Sequence, residues 1–194
     1  MNDNINIIVV GVGGQGNVMA ARLIGDAAIE AGYHVAMGET HGAGQRGGAV
    51  SSHVRLWKKV SCGPLIPEAD ADAVLGLEPF EALKCATKFL KPNGIVVTNE
   101  CPVMPSDRNY LEISKIFNLL KKIPAKVFSL DGTSLAKEVG DVASLNIVMI
   151  GSAYRAGILP VKEKHLKNAI KDRLSKAVDL NFKAFAAGKN AVKK

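Results

Sequence analysis

The sequence predicts an α/β protein: a three-layer α/β/α sandwich with a mainly parallel sheet of about six strands and a Rossmann-like start. The first observation is INIIVV at 5–10, a continuous apolar, β-branched run typical of a strand buried on both faces of a sheet. The second is the glycine-rich GVGGQG at 11–16, which leads from that strand into a helical stretch. The third is the alternation of short apolar runs with helical patterns up to residue 130.

Each element has its own signal. The helix over 17–31 is followed by Gly32, which suits the left-handed residue that ends many helices. The helix over 79–90 begins at a proline, and the helix over 110–122 has apolar residues at i, i+3, i+4 and i+7. A polar loop is predicted over 39–48. The remaining strands are predicted at 33–38, 49–57, 73–77, 95–98 and 126–130.

The last third of the chain is predicted to be helical. A short helix opens at 131–133, and longer helices follow at 142–156, 161–173 and 175–187. Gly188 is expected to stop the last helix, which leaves 189–194 as a frayed basic tail. Residues 1–188 are therefore predicted to form a single domain.

Composition narrows the class of protein. Hydrophobic residues make up 47% of the chain and aromatic residues only 5%, so the core is expected to be aliphatic. The N-terminus lacks the basic start and the cleavage site of a signal peptide, and no apolar run reaches the roughly 20 residues that span a bilayer. We therefore expect a cytoplasmic protein that has no membrane partner.

The formal net charge of +7 is confined to one end of the chain. Residues 161–194 hold ten Lys or Arg and three acids, whereas the first 160 residues hold fifteen of each. A nucleic-acid groove would need aromatic residues among the basic ones, and few occur, so no nucleic-acid partner is expected. An acidic protein partner stays open, as does a face that meets only solvent.

The cysteines give no sign of a cofactor. Cys62, Cys85 and Cys101 are far apart and form no CxxC pair, so neither a disulfide framework nor a zinc or iron–sulfur site follows. No nucleophile elbow or P-loop lysine appears either. We therefore assign no catalytic residue and no metal ligand to this chain.

GVGGQG fits the GxGxxG pattern of dinucleotide sites, with Gly11, Gly13 and Gly16 in the three glycine positions. Such a loop lets the backbone approach a pyrophosphate at the positive end of a helix. Glu39 follows Gly16 by 23 residues, a tolerable spacing for the acid that binds a ribose. The residues alone leave three interpretations open: a dinucleotide site, another anion or interface site, and a tight turn without a ligand.

ETHGAGQRGGAVSSHVR at 39–55 is the most unusual stretch of the sequence. It sets four glycines among charged and polar side chains, a mixture that no hydrophobic core requires. Arg46 offers a forked donor for a phosphate or carboxylate, and His41 could act as a general acid or base. The alternative is an interface loop in which Gln45 and Arg46 bond to a neighbouring backbone.

Together these motifs resemble the gamma-subunit family of 2-oxoacid:ferredoxin oxidoreductases, and within it the small (beta) subunits of the indolepyruvate:ferredoxin type. QRGG at 45–48 favours the indolepyruvate type, because gamma subunits that act on pyruvate tend to have an RRGG-like version. Ala43 and Gly44 depart from that type, which more often has a methionine and an alanine there. The similarity is carried by GVGGQG (11–16), the block 39–55, PLIPEADAD (64–72), LEPFEAL (77–83), LKPNGIVVTN (90–99), SLNIVMIG (144–151) and NFKAFAAG (181–188).

The resemblance implies a subunit of a complex that oxidatively decarboxylates an aryl pyruvate, with coenzyme A, to an acyl-CoA and reduces ferredoxin. It assigns thiamine diphosphate and the [4Fe–4S] clusters to a larger subunit, so this chain alone is expected to hold no cofactor and to be inactive. We expect a hetero-oligomer in which one set of residues lies at the partner interface or beside coenzyme A. That set is Gly11, Gly13, Gly14, Gln15, Gly16, Glu39, His41, Gln45, Arg46, Gly47, Gly48 and Arg55.

Two other functions stay open. One is a free-standing NAD(P)-binding oxidoreductase that uses GVGGQG, and the other is a scaffold subunit that binds no small ligand.

Overall fold

The computed structural model describes residues 4–42, 48–59, 63–104 and 110–193. Within these ranges six strands form one sheet, and helices cover both of its faces. The prediction of an α/β sandwich with about six strands is confirmed.

Strands and helices are interspersed as far as residue 130, and the described elements after it are all helical. The strands are β1 Asn4–Val12, β2 His34–His41, β3 Ala49–Trp57, β4 Ala71–Gly76, β5 Leu90–Asn99 and β6 Lys126–Leu130. The α-helices are α1 Asn17–Glu30, α2 Pro79–Phe89, α3 Ile113–Leu120, α4 Gly132–Val139, α5 Leu145–Ala156, α6 Glu163–Arg173 and α7 Val178–Ala191. Short 3-10 turns, Val142–Ser144 and Ser175–Ala177, precede α5 and α7.

The strand order in the sheet is β2-β3-β1-β4-β5-β6. β3 is antiparallel to both of its neighbours, whereas β1, β4, β5 and β6 pair in parallel. Five of the six strands therefore point the same way, which confirms a mainly parallel sheet. The start of the chain departs from a Rossmann unit in one respect, because β3 separates β2 from β1.

The apolar run in β1 divides between two cores. Ile7 and Val9 are buried on the face covered by α1 and the C-terminal helices, and Ile8 and Val10 are buried on the face covered by α2 and α3. A central strand with helices on both sides needs apolar residues at every position, which accounts for the absence of alternation in INIIVV. Tyr33 and Phe185 are the aromatic residues among the buried hydrophobic side chains of the described ranges, so the core is aliphatic.

Several predicted boundaries are wrong, among them the start of the fifth strand, which lies at Leu90 and not at residue 95. β2 continues through His41, so Glu39 and His41 belong to a strand and not to the predicted loop, because β2 stays paired with β3 up to Val50. α7 passes through Gly188 and ends at Ala191. Gly188 is therefore not a helix stop, since residues 189–191 continue α7 and Val192 is buried.

Gly188 is required by packing, because α5 and α7 cross there. A Cβ at Gly188 would lie 1.8 Å from the carbonyl oxygen of Val148, and a Cβ at Gly151 would lie 2.1 Å from that of Phe185. Real Cβ atoms do not come so close to another atom. The buried Ser152 Oγ lies 3.0 Å from the carbonyl oxygen of Val148 and 3.1 Å from that of Gly188, so it joins the two helices where they touch.

Candidate functional site

The carboxyl ends of β1, β4 and β5 meet at one border of the sheet, which we call the carboxyl edge. α1 follows β1 on one face of the sheet, and α2 follows β4 on the other. The connection that follows β1 therefore lies on the opposite face of the sheet from the connection that follows β4. Ligands of open α/β sheets bind outside the carboxyl ends of the strands at such a point.

The side chain of Gln15 holds the glycine loop closed at this edge. Its Oε1 accepts a hydrogen bond from the backbone N–H of Val12 at 2.7 Å, and its Nε2 donates to the carbonyl of Leu77 at 3.0 Å. Gly11 makes room for this arrangement, because a Cβ there would lie 2.7 Å from the Gln15 Oε1 and 2.6 Å from the Asn17 Oδ1. Gln15 therefore fixes the loop from inside and joins β1 to the end of β4.

Two other glycines of the loop have left-handed backbones, which side chains rarely adopt. Gly14 has φ +98°, and a Cβ on it would meet nothing within 4 Å. Gly16 has φ +84° and packs against α5, where a Cβ would lie 2.6 Å from the Nδ2 of Asn146. Gly16 therefore serves helix packing, and Gly14 is the part of the loop that has open space beside it.

Asn99 joins the end of β5 to α4. It is fully buried, and its Nδ2 lies 3.0 Å from the Thr133 Oγ1 and 3.2 Å from the carbonyl oxygen of Leu77. Its Oδ1 accepts a hydrogen bond from the backbone N–H of Gly132 at 3.0 Å. The sequence-based site did not include Asn99. The sequence signal that could have identified Asn99 was its position, since it is a polar residue at the end of a strand predicted to be buried.

Glu78, at the end of β4, is buried and caps α2. Its Oε2 accepts a hydrogen bond from the backbone N–H of Glu81 at 2.7 Å, and its Oε1 accepts one from the hydroxyl of Tyr110. Burial raises the pKa of Glu78 because it disfavours the charged carboxylate, and the two hydrogen bonds oppose that rise. Burial also raises the pKa of Tyr110 above its usual value, and the hydrogen bond to Glu78 raises it further. The Glu78 carboxylate therefore has hydrogen-bond partners in Tyr110 and in the first turn of α2, and the Tyr110 hydroxyl has its partner in Glu78.

A cavity of about 460 Å³ opens at the carboxyl edge between the glycine loop and the start of α5. Most of its side chains are aliphatic, and the N-termini of α1 and α4 border it with the positive ends of their helix dipoles. Its lining residues are Gly14, Gln15, Gly16, Cys101, Val103, Thr133, Val142, Ala143 and Leu145.

Large apolar side chains are exposed at the rim of this cavity. Val142 is 48% exposed and Val103 37%, and Met104, which directly follows Val103 in the sequence, is 68% exposed. Isolated apolar residues are normal on a protein surface, but a group beside a concave, aliphatic site is typical of a contact surface. The cavity and its rim are therefore the part of the carboxyl edge that is suited to binding.

The structure brings most of the predicted site residues to this edge. The backbone N–H of Gly13 donates to the carbonyl of Gly48 at 3.0 Å, which joins the glycine loop to the turn between β2 and β3. Glu39 and His41 are exposed at the same edge, where the Nε2 of His41 lies 3.9 Å from the Oε2 of Glu39. Gln45, Arg46 and Gly47 lie outside the described residues. Because β3 separates β2 from β1, Glu39 is not placed beside the glycine loop as a ribose-binding acid would be.

Arg55 is the exception, because the structure places it away from the glycine loop; its role at a partner interface stays a prediction. It pairs with Asn6, five residues before Gly11 on β1, which puts it roughly 16 Å away along the strand. Its Nε donates to the Oδ1 of Asn6 at 3.0 Å, and its Nη1 donates to the carbonyls of Gly63 and Leu65 at 3.0 and 3.1 Å. Arg55 therefore holds the loop before β4 against the opposite edge of the sheet.

The described thiols do not fit an iron–sulfur cluster. No three His, Cys, Asp or Glu side chains within the described ranges lie close enough together to hold a metal ion. Cys85 is buried, and burial raises its pKa to about 12, so it remains a neutral thiol. Cys62 lies outside the described residues. Of the helices in the described ranges, none is long and apolar enough to cross a membrane.

Comparison with known proteins gives consistent matches over almost the whole chain. The profile of the family described as pyruvate ferredoxin/flavodoxin oxidoreductase matches residues 6–191. The chain is 39% identical to the indolepyruvate oxidoreductase subunit IorB of Archaeoglobus fulgidus, over 96% of this chain and 94% of that protein.

Solved structures share the fold. The gamma subunit of a keto/oxoacid ferredoxin oxidoreductase from Geobacter sulfurreducens superposes with a TM-score of 0.73 at 24% identity, over 96% of this chain and 97% of that one. A 2-oxoglutarate:ferredoxin oxidoreductase from Magnetococcus marinus, solved with 2-oxoglutarate, coenzyme A and succinyl-CoA, gives a TM-score of 0.75 at 23% identity. All of this chain matches 32% of that longer polypeptide.

Proposed function

Because this chain belongs to the pyruvate ferredoxin/flavodoxin oxidoreductase family, as a small subunit of a 2-oxoacid:ferredoxin oxidoreductase, we propose that it completes the site of a complex for aryl pyruvates. Indolepyruvate is the substrate that its relatives' names indicate. The complex would oxidatively decarboxylate the 2-oxoacid to an acyl-CoA and pass the electrons to ferredoxin. The observation that carries the proposal is the aliphatic cavity at the carboxyl edge, with its exposed apolar rim.

The rim supports a permanent contact with a larger subunit. Contacts between permanent partners are rich in apolar side chains, and Met104 and Val142 would be buried by such a contact. We assign thiamine diphosphate and the [4Fe–4S] clusters to that larger subunit. The cysteines described in this chain lie on separate elements and offer no cluster site.

Coenzyme A is the ligand that fits the cavity best. Aliphatic walls suit the pantetheine arm, while the open backbone at Gly14 and the positive helix ends suit its polar and anionic groups. When bound, coenzyme A supplies the thiol that accepts the acyl group. The residues of this chain would hold its arm against the partner, and we propose Arg46, between β2 and β3 in the sequence, as a contact for an anion.

Replacing Ala143 with tryptophan tests the cavity. Ala143 is exposed and lines the cavity, so a large ring can fill the space without entering the core. We expect the KM for coenzyme A to rise at least about tenfold in the assembled complex, because a filled pocket excludes the arm. The KM for the 2-oxoacid should change by less than about twofold. Ala186→Trp is the matched control, since Ala186 is exposed on α7 away from the carboxyl edge. An assembled Ala143→Trp complex with an unchanged KM for coenzyme A would place the arm elsewhere.

The substrate is tested by co-producing this chain with a candidate larger subunit. The assay compares indolepyruvate, phenylpyruvate and pyruvate at equal enzyme concentration. We expect kcat/KM for the aryl pyruvates to exceed that for pyruvate by at least about tenfold, because an extended aromatic group offers more apolar binding area. We expect no turnover by the isolated chain. A preference for pyruvate would contradict the aryl assignment, and micromolar binding of NAD(H) by the isolated chain would favour a free-standing oxidoreductase.

A further inference from the structure

The surface of residues 162–193 differs in chemistry from the carboxyl edge. The large hydrophobic side chains exposed in the described ranges are Ile29, Met37, Leu65, Val103, Met104, Leu119 and Val142. None of these lies in the segment 162–193, which forms α6 and α7. The C-terminal helices therefore present a polar surface, whereas the carboxyl edge presents an apolar one.

Three basic groups of this segment pair with two carboxylates within the fold. Lys167 and Lys189 both contact the carboxylate of Glu163, at 2.8 and 2.6 Å, and Arg173 forms a two-pronged pair with Asp26 of α1. These contacts hold α6 against α7 and against α1. The other lysine side chains of the segment therefore project from helices that are held in place against each other.

Six lysines of the segment are exposed and form no ion pair with the described residues, and we call them the lysine face. Asp172 and Asp179 are the acids of the segment that form no such pair, so positive charge dominates. The lysine face consists of Lys162, Lys164, Lys171, Lys176, Lys183 and Lys193.

The spacing concentrates part of this charge along one helix. Lys164, Lys167 and Lys171 stand at i, i+3 and i+7, which puts them on the same side of α6. The Nζ of Lys167 lies 5.9 Å from the ring centre of Phe182 on α7, so the two helices meet beside this row. Lys183 follows Phe182 on the exposed side of α7 and extends the positive surface.

We propose that the lysine face is the docking surface for a small acidic protein that takes electrons from the complex. The proposal rests on the proposed function, which requires such a carrier. Permanent subunit contacts are depleted in lysine and rich in apolar residues, and the carboxyl edge has that character. Brief electron-transfer contacts are small and are guided by opposite charge, which suits the lysine face. The positive field would raise the rate of encounter with an anionic carrier.

The test uses the assembled complex and a ferredoxin chosen for its net negative charge. One variant reverses three charges of the face, Lys164→Glu, Lys171→Glu and Lys183→Glu. The matched control makes the same charge change at the exposed lysines between α3 and the start of β6, Lys121→Glu, Lys122→Glu and Lys126→Glu. The rate is measured over a range of ionic strength, with the ferredoxin and with a small artificial dye as acceptors.

We expect the KM for the ferredoxin to rise about tenfold in the lysine-face variant at low ionic strength, and its salt dependence to weaken. The rate with the dye should stay at the wild-type value, and the control should stay within about twofold with both acceptors. An unchanged KM in the lysine-face variant, or an equal rise in the control, would overturn the proposal. Failure of the lysine-face variant to join the larger subunit would also overturn it, because the face would then be a subunit contact. Failure of the proposed function is distinct, since the wild-type complex would then oxidise no 2-oxoacid even with the dye.

Discussion

Replacing Gly188 with alanine is expected to lower the free energy of unfolding by at least about 3 kcal/mol, because the added methyl group cannot fit between α5 and α7. A Cβ at this position would lie 1.8 Å from the carbonyl oxygen of Val148. Backbone atoms cannot rotate away as a side chain can, so the helices would have to separate. For a chain of this length the loss corresponds to a fall in Tm of roughly 6–12 °C, which calorimetry or thermal circular dichroism would measure.

Gly25→Ala is the matched control, since Gly25 is also a buried glycine inside a helix. A Cβ there would first meet the sulfur of Met37 at 3.2 Å, and that side chain is flexible and partly exposed. Alanine should therefore be tolerated, and its higher helix propensity should offset much of the contact, so that stability stays within about 1 kcal/mol of wild type. Equal Tm values for Gly188→Ala and Gly25→Ala would show that the crossing relaxes more easily than the structure indicates.

Val142→Asp combined with Met104→Asp is expected to weaken binding to the larger subunit by at least about a hundredfold. Both side chains are exposed, so the isolated chain should remain folded; Val142 lines the cavity, and Met104 directly follows the lining residue Val103. In the complex, each carboxylate would be buried without a partner, which costs far more than the lost apolar contact. The dissociation constant of the two subunits can be measured by titration or by sedimentation.

The double variant Leu119→Asp with Ile29→Asp is the control for this experiment. It introduces the same two carboxylates at exposed apolar residues on α3 and α1, away from the cavity rim. We expect this control to assemble with the larger subunit as the wild type does. Both double variants should show the wild-type Tm as isolated chains. Normal assembly of the Val142 and Met104 variant would move the subunit interface to another surface.

The sequence predicted the elements well where one physical signal dominated. INIIVV had to be a strand buried on both faces, and the Gly32 and Pro79 signals fell at the ends of real helices. Gly188 misled because glycine has two uses, ending a helix or allowing two helices to touch, and only the tertiary contact with α5 distinguishes them. Local patterns could not predict the strand order either, because no feature of residues 49–57 indicates that this strand pairs with β1.

The candidate site divides in the same way. The glycine loop and Gly48 were grouped because the family resemblance implied it, and the hydrogen bond from Gly13 to Gly48 joins them. Arg55 was included as the last residue of the 39–55 block that carries the resemblance, but the antiparallel direction of β3 places it at the far edge of the sheet. Asn99 was left out because one polar residue at a strand end has no distinctive sequence pattern. Its role depends on three segments that meet only after folding.

The reversed direction of β3 has a consequence for the order of folding. β2 has β3 as its one neighbour in the sheet, so β2 can join the sheet only through β3. The two strands are consecutive in the sequence and pair antiparallel, and a hairpin of this kind forms in microseconds, long before distant strands find one another. They would therefore reach β1 as a preformed unit. The step that places Gly48 against the glycine loop is then the same step that completes this half of the sheet.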